Sequence, residues 1–212
     1  MKEKTLDFFK NTSITDDIEN NVKREEIMAQ EVKNDIKKAL QVNTIPLIAI
    51  MTAVTTVLTM LVKIPTPIRG YLNLSDTMIY FSAYAFGPWV GGIIGGLGPA
   101  LSDLISGYPQ WAIPTAIIKA FNAVPFVLCR MAMKKHGKDN KIINWSSLLM
   151  LIPTTMVTVG GYFIANGLMY GFEGAVAELA TWWLQPGMGA LIFIVLGFAL
   201  DRIDFKKKLA LK

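Results

Sequence analysis

A series of long apolar runs, beginning at Ile45 and ending at Leu200, constrains the fold of this chain more than any other feature. The runs cover about Ile45–Val62, Asp76–Phe86, Trp89–Ile105, Ile113–Met133, Ser146–Tyr170 and Pro186–Leu200. A helix needs roughly 20 residues to cross a hydrocarbon layer of about 30 Å. The pattern therefore predicts an all-α membrane protein with six transmembrane helices, of which the second and the sixth are short.

The composition favours a membrane protein over a soluble domain. Apolar residues make up 52% of the 212 residues, and they are concentrated in the six runs. Because the first run starts only near Ile45, we expect it to act as an uncleaved insertion signal rather than as a cleaved leader.

Three regions follow from this pattern: a polar extension over 1–44, a membrane domain over 45–202 and a basic tail over 203–212. Within the extension, apolar residues recur at helical spacing from Ser13 to about Gln41, which predicts an amphipathic helix. Two roles remain open for this helix: it lies on the membrane or on its own protein, or it binds a partner.

The distribution of basic residues predicts the orientation. The segment "RMAMKKHGKDNK" after the fourth run and the carboxyl-terminal "DRIDFKKKLALK" are rich in lysine and arginine, which marks cytoplasmic segments. With six spans, both termini are then cytoplasmic. The outer segments would be Lys63–Ser75, Ser106–Ala112 and Gly171–Gln185, whose basic residues are Lys63 and Arg69.

Polar and aromatic residues gather at the predicted outer ends of the spans. They are Asn73, Asp76, Asp103, Trp111, Lys119, Asn122, Asn166, Glu178, Trp182 and Gln185. Polar groups inside a membrane domain tend to face an interior cavity and to pair with one another or with a ligand. Aromatic rings with a few convergent polar groups suit a small heteroaromatic ligand.

Each of these residues also has a purely structural interpretation. Asp76 is placed to cap the second helix, and Asp103 to pair with Lys119. Trp111 and Trp182 also fit an interfacial aromatic belt. Lys119 lies well inside the fourth run, so we expect it either to bind a ligand or to form an ion pair.

Motifs for catalysis are missing from the sequence, and we expect neither an enzyme nor a cofactor. There is no nucleophile elbow, no His-Glu-x-x-His and no nucleotide-binding loop. A single cysteine, Cys129, and a single histidine, His136, do not suffice for a cysteine or histidine metal cluster.

Small residues at four-residue spacing mark close helix contacts in membranes. The third run contains Gly91-x-x-x-Gly95, which we interpret as internal packing. The first run contains Ala49-x-x-x-Ala53, which is suited either to packing within the domain or to contact with another membrane protein.

Several segments resemble the substrate-binding S components of energy-coupling factor (ECF) vitamin transporters. They are "GYLNLSDTMIY", "AFGPWVGGIIGGLGPALSDLISGYPQWAIPTAIIK", "GGYFIANGLMYG" and "AVAELATWWLQPGMGA". The resemblance covers about residues 45–202 and is similar to the branch for hydroxymethylpyrimidine-type and pyridoxine-type substrates. It implies a six-helix substrate-binding domain in the plasma membrane of a bacterium, with both termini cytoplasmic.

The resemblance also implies partners and residue roles. An S component captures a vitamin and associates with a transmembrane coupling protein and two cytoplasmic ATPases; no nucleic acid is involved. Docking of the coupling protein maps to Ala49 and Ala53, and a gating loop to Lys63–Ser75, with Pro65, Pro67 and Tyr71. The residues expected to bind substrate are Asn73, Asp76, Trp111, Lys119, Asn122, Tyr162, Asn166, Glu178 and Trp182.

Two other classes stay open at this point. A self-sufficient secondary transporter would use Asp76, Asp103 and Glu178 as proton or cation sites, although no inverted repeat is visible in the sequence. A membrane enzyme is disfavoured by the missing motifs. The preferred prediction is high-affinity capture of a small water-soluble vitamin or precursor.

Overall fold

The structure, a computed structural model, describes residues 13–39, 44–65, 71–134, 141–205 and 208. Pro67, Arg69 and half of each of the two basic segments lie outside these residues. The chain forms two compact units, Met1–Leu40 and Gln41–Lys212.

The first unit contains helix α1, Ser13–Ala39. Its apolar side chains Ile18, Val22, Ile27 and Met28 are exposed within the unit. The helix coincides closely with the segment of helical periodicity in the sequence. Its cytoplasmic location and its role stay predictions.

The second unit is built from seven helices within the described residues, and two-residue strands link the first two of them. The helices are α2 (Ile45–Leu61), α3 (Ser75–Ala85), α4 (Pro88–Ile105), α5 (Pro109–Phe121), α6 (Val124–Lys134), α7 (Trp145–Tyr170) and α8 (Phe172–Arg202). Strands β1 (Ile64–Pro65) and β2 (Tyr71–Leu72) pair antiparallel, with Ile64 opposite Leu72. Proline occupies the first turn of α2, α4 and α5, where its missing N–H leaves no helical bond unmade.

Two boundaries differ from the sequence-based expectation. The segment Gly171–Gln185, predicted to be an outer loop, is helical from Phe172 onward, and Pro186 lies inside α8 instead of starting it. A proline within a membrane helix is tolerated when neighbouring groups satisfy the freed backbone. The fourth run is also divided, because α5 ends at Phe121 and α6 starts at Val124.

Helix α3 lies at the centre of the second unit, and all eleven of its residues are buried. It packs against α2, α4 and α8. At 1.5 Å per residue it is about 17 Å long, which is too short to cross the hydrocarbon layer. The polar start of α3 therefore lies inside the protein, surrounded by other helices.

The surrounding helices turn large apolar side chains outward, as expected where lipid is the solvent. Among the described residues, Pro109–Cys129, Trp145–Tyr170 and Phe172–Arg202 are long and apolar enough to cross a membrane, and Ile45–Leu61 is a shorter apolar helix. Exposed side chains include Ile50, Leu61, Ile113, Leu128, Leu168 and Val195. These features confirm an all-α fold with membrane-spanning character.

Glycines allow α4 to lie close to its neighbours. A Cβ on Gly91 would lie 2.4 Å from the Cα of Ala83 in α3, and one on Gly95 would lie 3.0 Å from the carbonyl oxygen of Lys119 in α5. The Gly91-x-x-x-Gly95 motif therefore packs inside the domain, as predicted. Ala49 and Ala53 of α2 are exposed instead.

Candidate ligand-binding site

A cavity lies at the end of the second unit that carries strand β2. Its lining residues are Tyr71, Asn73, Asp103, Trp111, Thr115, Tyr162, Glu178, Trp182 and Gln185. They come from β2 and the turn after it and from α4, α5, α7 and α8. The mixture of rings, amides and carboxylates is typical of small-molecule sites.

Helical spacing explains how α8 contributes three of these residues. Glu178, Trp182 and Gln185 are separated by four and three positions, so they share one face of the helix. Trp111 and Thr115 of α5 follow the same rule. A loop at Gly171–Gln185 would not have fixed this arrangement.

The aromatic side of the cavity is formed by packed rings. Trp111 lies with its ring centre 5.9 Å from that of Tyr162 and 5.9 Å from that of Tyr170. The Tyr162 hydroxyl donates to Thr115 Oγ1 at 3.4 Å. These contacts hold the rings in place, so a flat ligand meets rigid aromatic surfaces.

Beneath the cavity, Asp76 and Lys119 form a buried ion pair. Lys119 Nζ donates to Asp76 Oδ1 at 2.7 Å and to Oδ2 at 2.8 Å, and both side chains are 0% exposed. Asn122 Nδ2 donates to Asp76 Oδ1 at 3.2 Å and to Thr158 Oγ1 at 2.8 Å. Gln185 Nε2 donates to Asp76 Oδ2 at 2.9 Å. We refer to Asp76, Lys119, Asn122 and Gln185 as the polar floor.

The polar floor corrects two structural interpretations of the sequence. Lys119 donates to Asp76, 43 positions away, and not to Asp103. Asp76 makes no capping hydrogen bond at the start of α3; Asn73 Oδ1 accepts from the backbone N–H of Ser75 at 3.0 Å instead. The Asp76 carboxylate is thus used for side-chain contacts between helices.

One wall of the cavity is supported by a second buried pair. Asn166 Nδ2 of α7 donates to Glu178 Oε2 of α8 at 3.2 Å, and both side chains are buried. Asn166 therefore lies behind Glu178, where it orients the carboxylate, and does not line the cavity.

Tyr71 connects the strand pair to the cavity wall. Its hydroxyl donates to Asp103 Oδ1 at 2.5 Å, and its ring lies 5.1 Å from that of Tyr108. Lys63 Nζ lies 5.2 Å from the Tyr71 ring centre and donates to Ser106 Oγ. Burial, together with the nearby Asp103 carboxylate, raises the pKa of Tyr71 above its ordinary value, so the phenol stays a proton donor.

The predicted binding residues fall into three positions. Asn73, Trp111, Tyr162, Glu178 and Trp182 line the cavity; Asp76, Lys119 and Asn122 lie in the polar floor; Asn166 lies behind Glu178. Four lining residues were not on the predicted binding list: Tyr71, which was assigned to the gating loop, and Asp103, Thr115 and Gln185. Thr115 could have been predicted, because it lies four residues after Trp111 and therefore on the same face of the helix. Within the described residues, no group of three or more His, Cys, Asp or Glu is placed to bind a metal.

A helical membrane protein with a buried central helix and a polar and aromatic cavity at one end belongs to the class of membrane proteins that bind small molecules. Residues 39–202 match the family described as "ECF-type riboflavin transporter, S component", and the chain belongs to this family. The family is one of transporter subunits and not of enzymes. Membership confirms the resemblance seen in the sequence.

Two relatives are similar over most of their length. A protein of Pyrococcus woesei described as "Uncharacterized protein in gap 3'region" is 39% identical over 157 residues, covering 69% of this chain and 94% of the relative. The thiamine precursor transporter HmpT of Lactococcus lactis subsp. cremoris (strain MG1363) is 31% identical over 164 residues, covering 76% of this chain and 85% of that protein. The description of the family and the name of the second relative both point to uptake of a vitamin or of its precursor.

Proposed function

We propose that this protein captures a small nitrogen heterocycle, a hydroxymethylpyrimidine-type thiamine precursor, as the S component of an ATP-driven importer. Pyridoxine is the second choice. The observation that carries the proposal is the chemistry of the cavity: rings from four aromatic residues and two carboxylates line it, and among the residues that the structure describes no Lys, Arg or His does so.

The two carboxylates favour a ligand that donates hydrogen bonds. Asp103 Oδ2 is buried and accepts no hydrogen bond of normal geometry from the described residues. An aminopyrimidine offers an exocyclic amino group and a hydroxyl group as donors, and its flat ring suits stacking against Trp111 or Trp182. Pyridoxine offers hydroxyl donors but no amino group. The relationship to a thiamine precursor transporter supports the same choice.

Titration and mass spectrometry test the ligand. The purified protein is analysed for co-purifying small molecules and is then titrated with 4-amino-5-hydroxymethyl-2-methylpyrimidine, pyridoxine and riboflavin. We expect the aminopyrimidine to bind most tightly. Tighter binding of riboflavin would contradict the proposed substrate while leaving the family assignment intact.

The same proposal gives the second unit six membrane segments, namely α2, α3, α4, α5 with α6, α7 and α8. Both termini are then cytoplasmic, and the cavity opens to the outside. A transmembrane coupling protein and two ATPases supply the energy for release. Ala49 and Ala53 support this role for α2, because they lie one turn apart on its exposed side, away from the buried Thr52 and Thr55.

Docking is tested with the double variant Ala49→Trp, Ala53→Trp. Because small side chains allow close approach of helices, two indole rings should keep the coupling protein away and abolish uptake by the full complex. The ligand affinity of the isolated subunit should not change. The matched control is Ile152→Trp, which adds an indole at an exposed position of α7. Normal uptake by the double variant would refute docking at this face.

A further inference from the structure

The orientation of one cavity amide, that of Gln185, is determined by the polar floor. Side-chain amide oxygen and nitrogen atoms are normally assigned from their hydrogen-bond partners. Here the partner is Asp76, whose Oδ2 atom lies 2.9 Å from Gln185 Nε2. An ionised carboxylate has only acceptors, so it selects the NH₂ group of Gln185 and excludes its carbonyl oxygen.

Lys119 is the ion-pair partner of Asp76. The ammonium group contacts both carboxylate oxygens, at 2.7 and 2.8 Å, with both side chains fully buried. A buried charge of either sign without its partner would be costly, so the two charges stay together. The carboxylate that orients Gln185 is thus a fixed feature of the interior.

The backbone of α8 is also brought close to Asp76. A Cβ on Gly189, one turn after Gln185, would lie 2.7 Å from the Cβ of Asp76. Thr77 Oγ1 donates to the carbonyl oxygen of Gly189 at 3.1 Å. These contacts fix the distance between α3 and α8 where Gln185 meets the carboxylate.

We infer that Gln185 is a specificity-determining residue, whose carbonyl oxygen accepts a hydrogen bond from the ligand because Asp76 occupies its NH₂ group. Gln185 lines the cavity, and its only hydrogen bond within the described part of the chain is the one to Asp76. With Asp103 and Glu178, it gives the cavity three side chains that accept from a ligand. Asp76 and Lys119 act as positioning residues and do not touch the ligand.

This inference rests on the proposed function. It holds that the carbonyl oxygen of Gln185 accepts a hydrogen bond from one donor of the ligand, either its amino group or its hydroxyl group. The test uses three compounds: 4-amino-5-hydroxymethyl-2-methylpyrimidine, its analogue without the amino group and its hydroxymethyl O-methyl ether. Gln185→Met should weaken binding of the parent compound by roughly ten- to a hundredfold, the scale for one buried polar contact. It should affect one of the two donor-deleted analogues much less, because that analogue lacks the donor.

A matched control is Gln110→Met, the same substitution at an exposed position of α5 near the same end of the domain. It should leave all three affinities unchanged. If Gln185→Met leaves the parent affinity unchanged, or weakens all three compounds equally, Gln185 reads no donor and the inference is overturned. If the wild-type protein binds neither the pyrimidine nor pyridoxine, the proposed function fails, and the assignment of Gln185 fails with it.

The positioning role is measured with Asp76→Asn, Lys119→Met. This double variant removes both charges together, and the asparagine amide can accept as well as donate, so Gln185 is no longer forced into one orientation. The preference for the parent over the donor-deleted analogue should fall, while the Gln110→Met control keeps it. An unchanged preference would show that Asp76 does not orient Gln185.

Discussion

Two carboxylates at opposite ends of the membrane domain, those of Asp76 and Asp201, have different kinds of hydrogen-bond partner. Asp76 lies in the polar floor, and its partners Lys119, Asn122 and Gln185 are all side chains. Asp201, near the end of α8, accepts from the backbone N–H groups of Ile142 at 2.7 Å and Ile143 at 2.8 Å. The first carboxylate joins three helices around a cavity, whereas the second joins a helix end to the segment before α7.

The difference between the contacts of Asp76 and Asp201 indicates where function adds a constraint on the sequence. Every residue except proline has a backbone N–H group, so the contact at Asp201 depends on one side chain only. Nearby, Asn144 and Ser147 form a capping box at the start of α7, which is also a local structural device. The polar floor depends on four side chains from three helices. Such an arrangement is costly to build for stability alone, which is consistent with its place under a binding cavity.

The largest effect is expected at the polar floor. Lys119→Met leaves Asp76 buried without its cation, and breaking such a pair costs roughly 3–5 kcal/mol of unfolding free energy. Thermal unfolding in detergent without ligand measures this loss. The Asp76→Asn, Lys119→Met double variant should recover most of it. If Lys119→Met is as stable as the wild type, Asp76 does not depend on its side-chain partner, and the contrast with Asp201 is lost.

A smaller effect is expected at the other end. Asp201→Asn replaces one acceptor oxygen by an NH₂ group that faces a backbone N–H, and we expect a loss of about 1–3 kcal/mol in unfolding free energy. Ligand affinity measured by titration should not change, because the cavity is at the opposite end. Asp204→Asn is the control, since Asp204 is exposed and asparagine tolerates its positive φ of 52°. Loss of ligand binding in Asp201→Asn would show that the two ends are coupled.

The smallest effect is expected at Tyr71, and it concerns the rate of ligand dissociation instead of the free energy of unfolding. Tyr71→Phe removes the donor to Asp103 but keeps the ring contact with Tyr108. One hydrogen bond is worth about 1 kcal/mol, so ligand should dissociate roughly fivefold faster in stopped-flow measurements. The raised pKa of Tyr71 keeps the phenol protonated at neutral pH, so the wild-type protein retains the donor that the variant lacks.

Tyr108→Phe is the matched control for this measurement. Its ring also contacts Tyr71, while the hydroxyl donor to Asp103 belongs to Tyr71. Equal acceleration in both variants would mean that ring packing, and not the hydrogen bond to Asp103, retains the ligand.

Much of the helix pattern was predictable because membrane helices carry a strong local signal. The first, third and fifth apolar runs match α2, α4 and α7 to within one residue at each end. The start of α8 was not predicted because the segment before Pro186 resembles an interfacial loop. This segment contains Glu173, Glu178 and two tryptophans. Burial of Glu178 against Asn166 removes that conflict, and this contact joins two helices.

The sequence predicted which types of residue form the site, but it did not predict which side chains contact one another. The sequence places polar residues at one end of the spans, and five predicted residues do line the cavity. It does not show that Lys119 contacts Asp76 and not Asp103, because that choice depends on how α3 lies between α4, α5 and α8. The orientation of the Gln185 amide follows only from that contact.

The pairing of Asp76 with Lys119 has a consequence for synthesis of the protein. The two residues are 43 positions apart, so α3 leaves the ribosome well before the lysine that neutralises its carboxylate. An unpaired carboxylate within an inserting segment is unfavourable, and α3 has only eleven residues with which to offset its cost. We therefore expect α3 to wait at the insertion machinery and to enter the bilayer together with α4 and α5 as one unit.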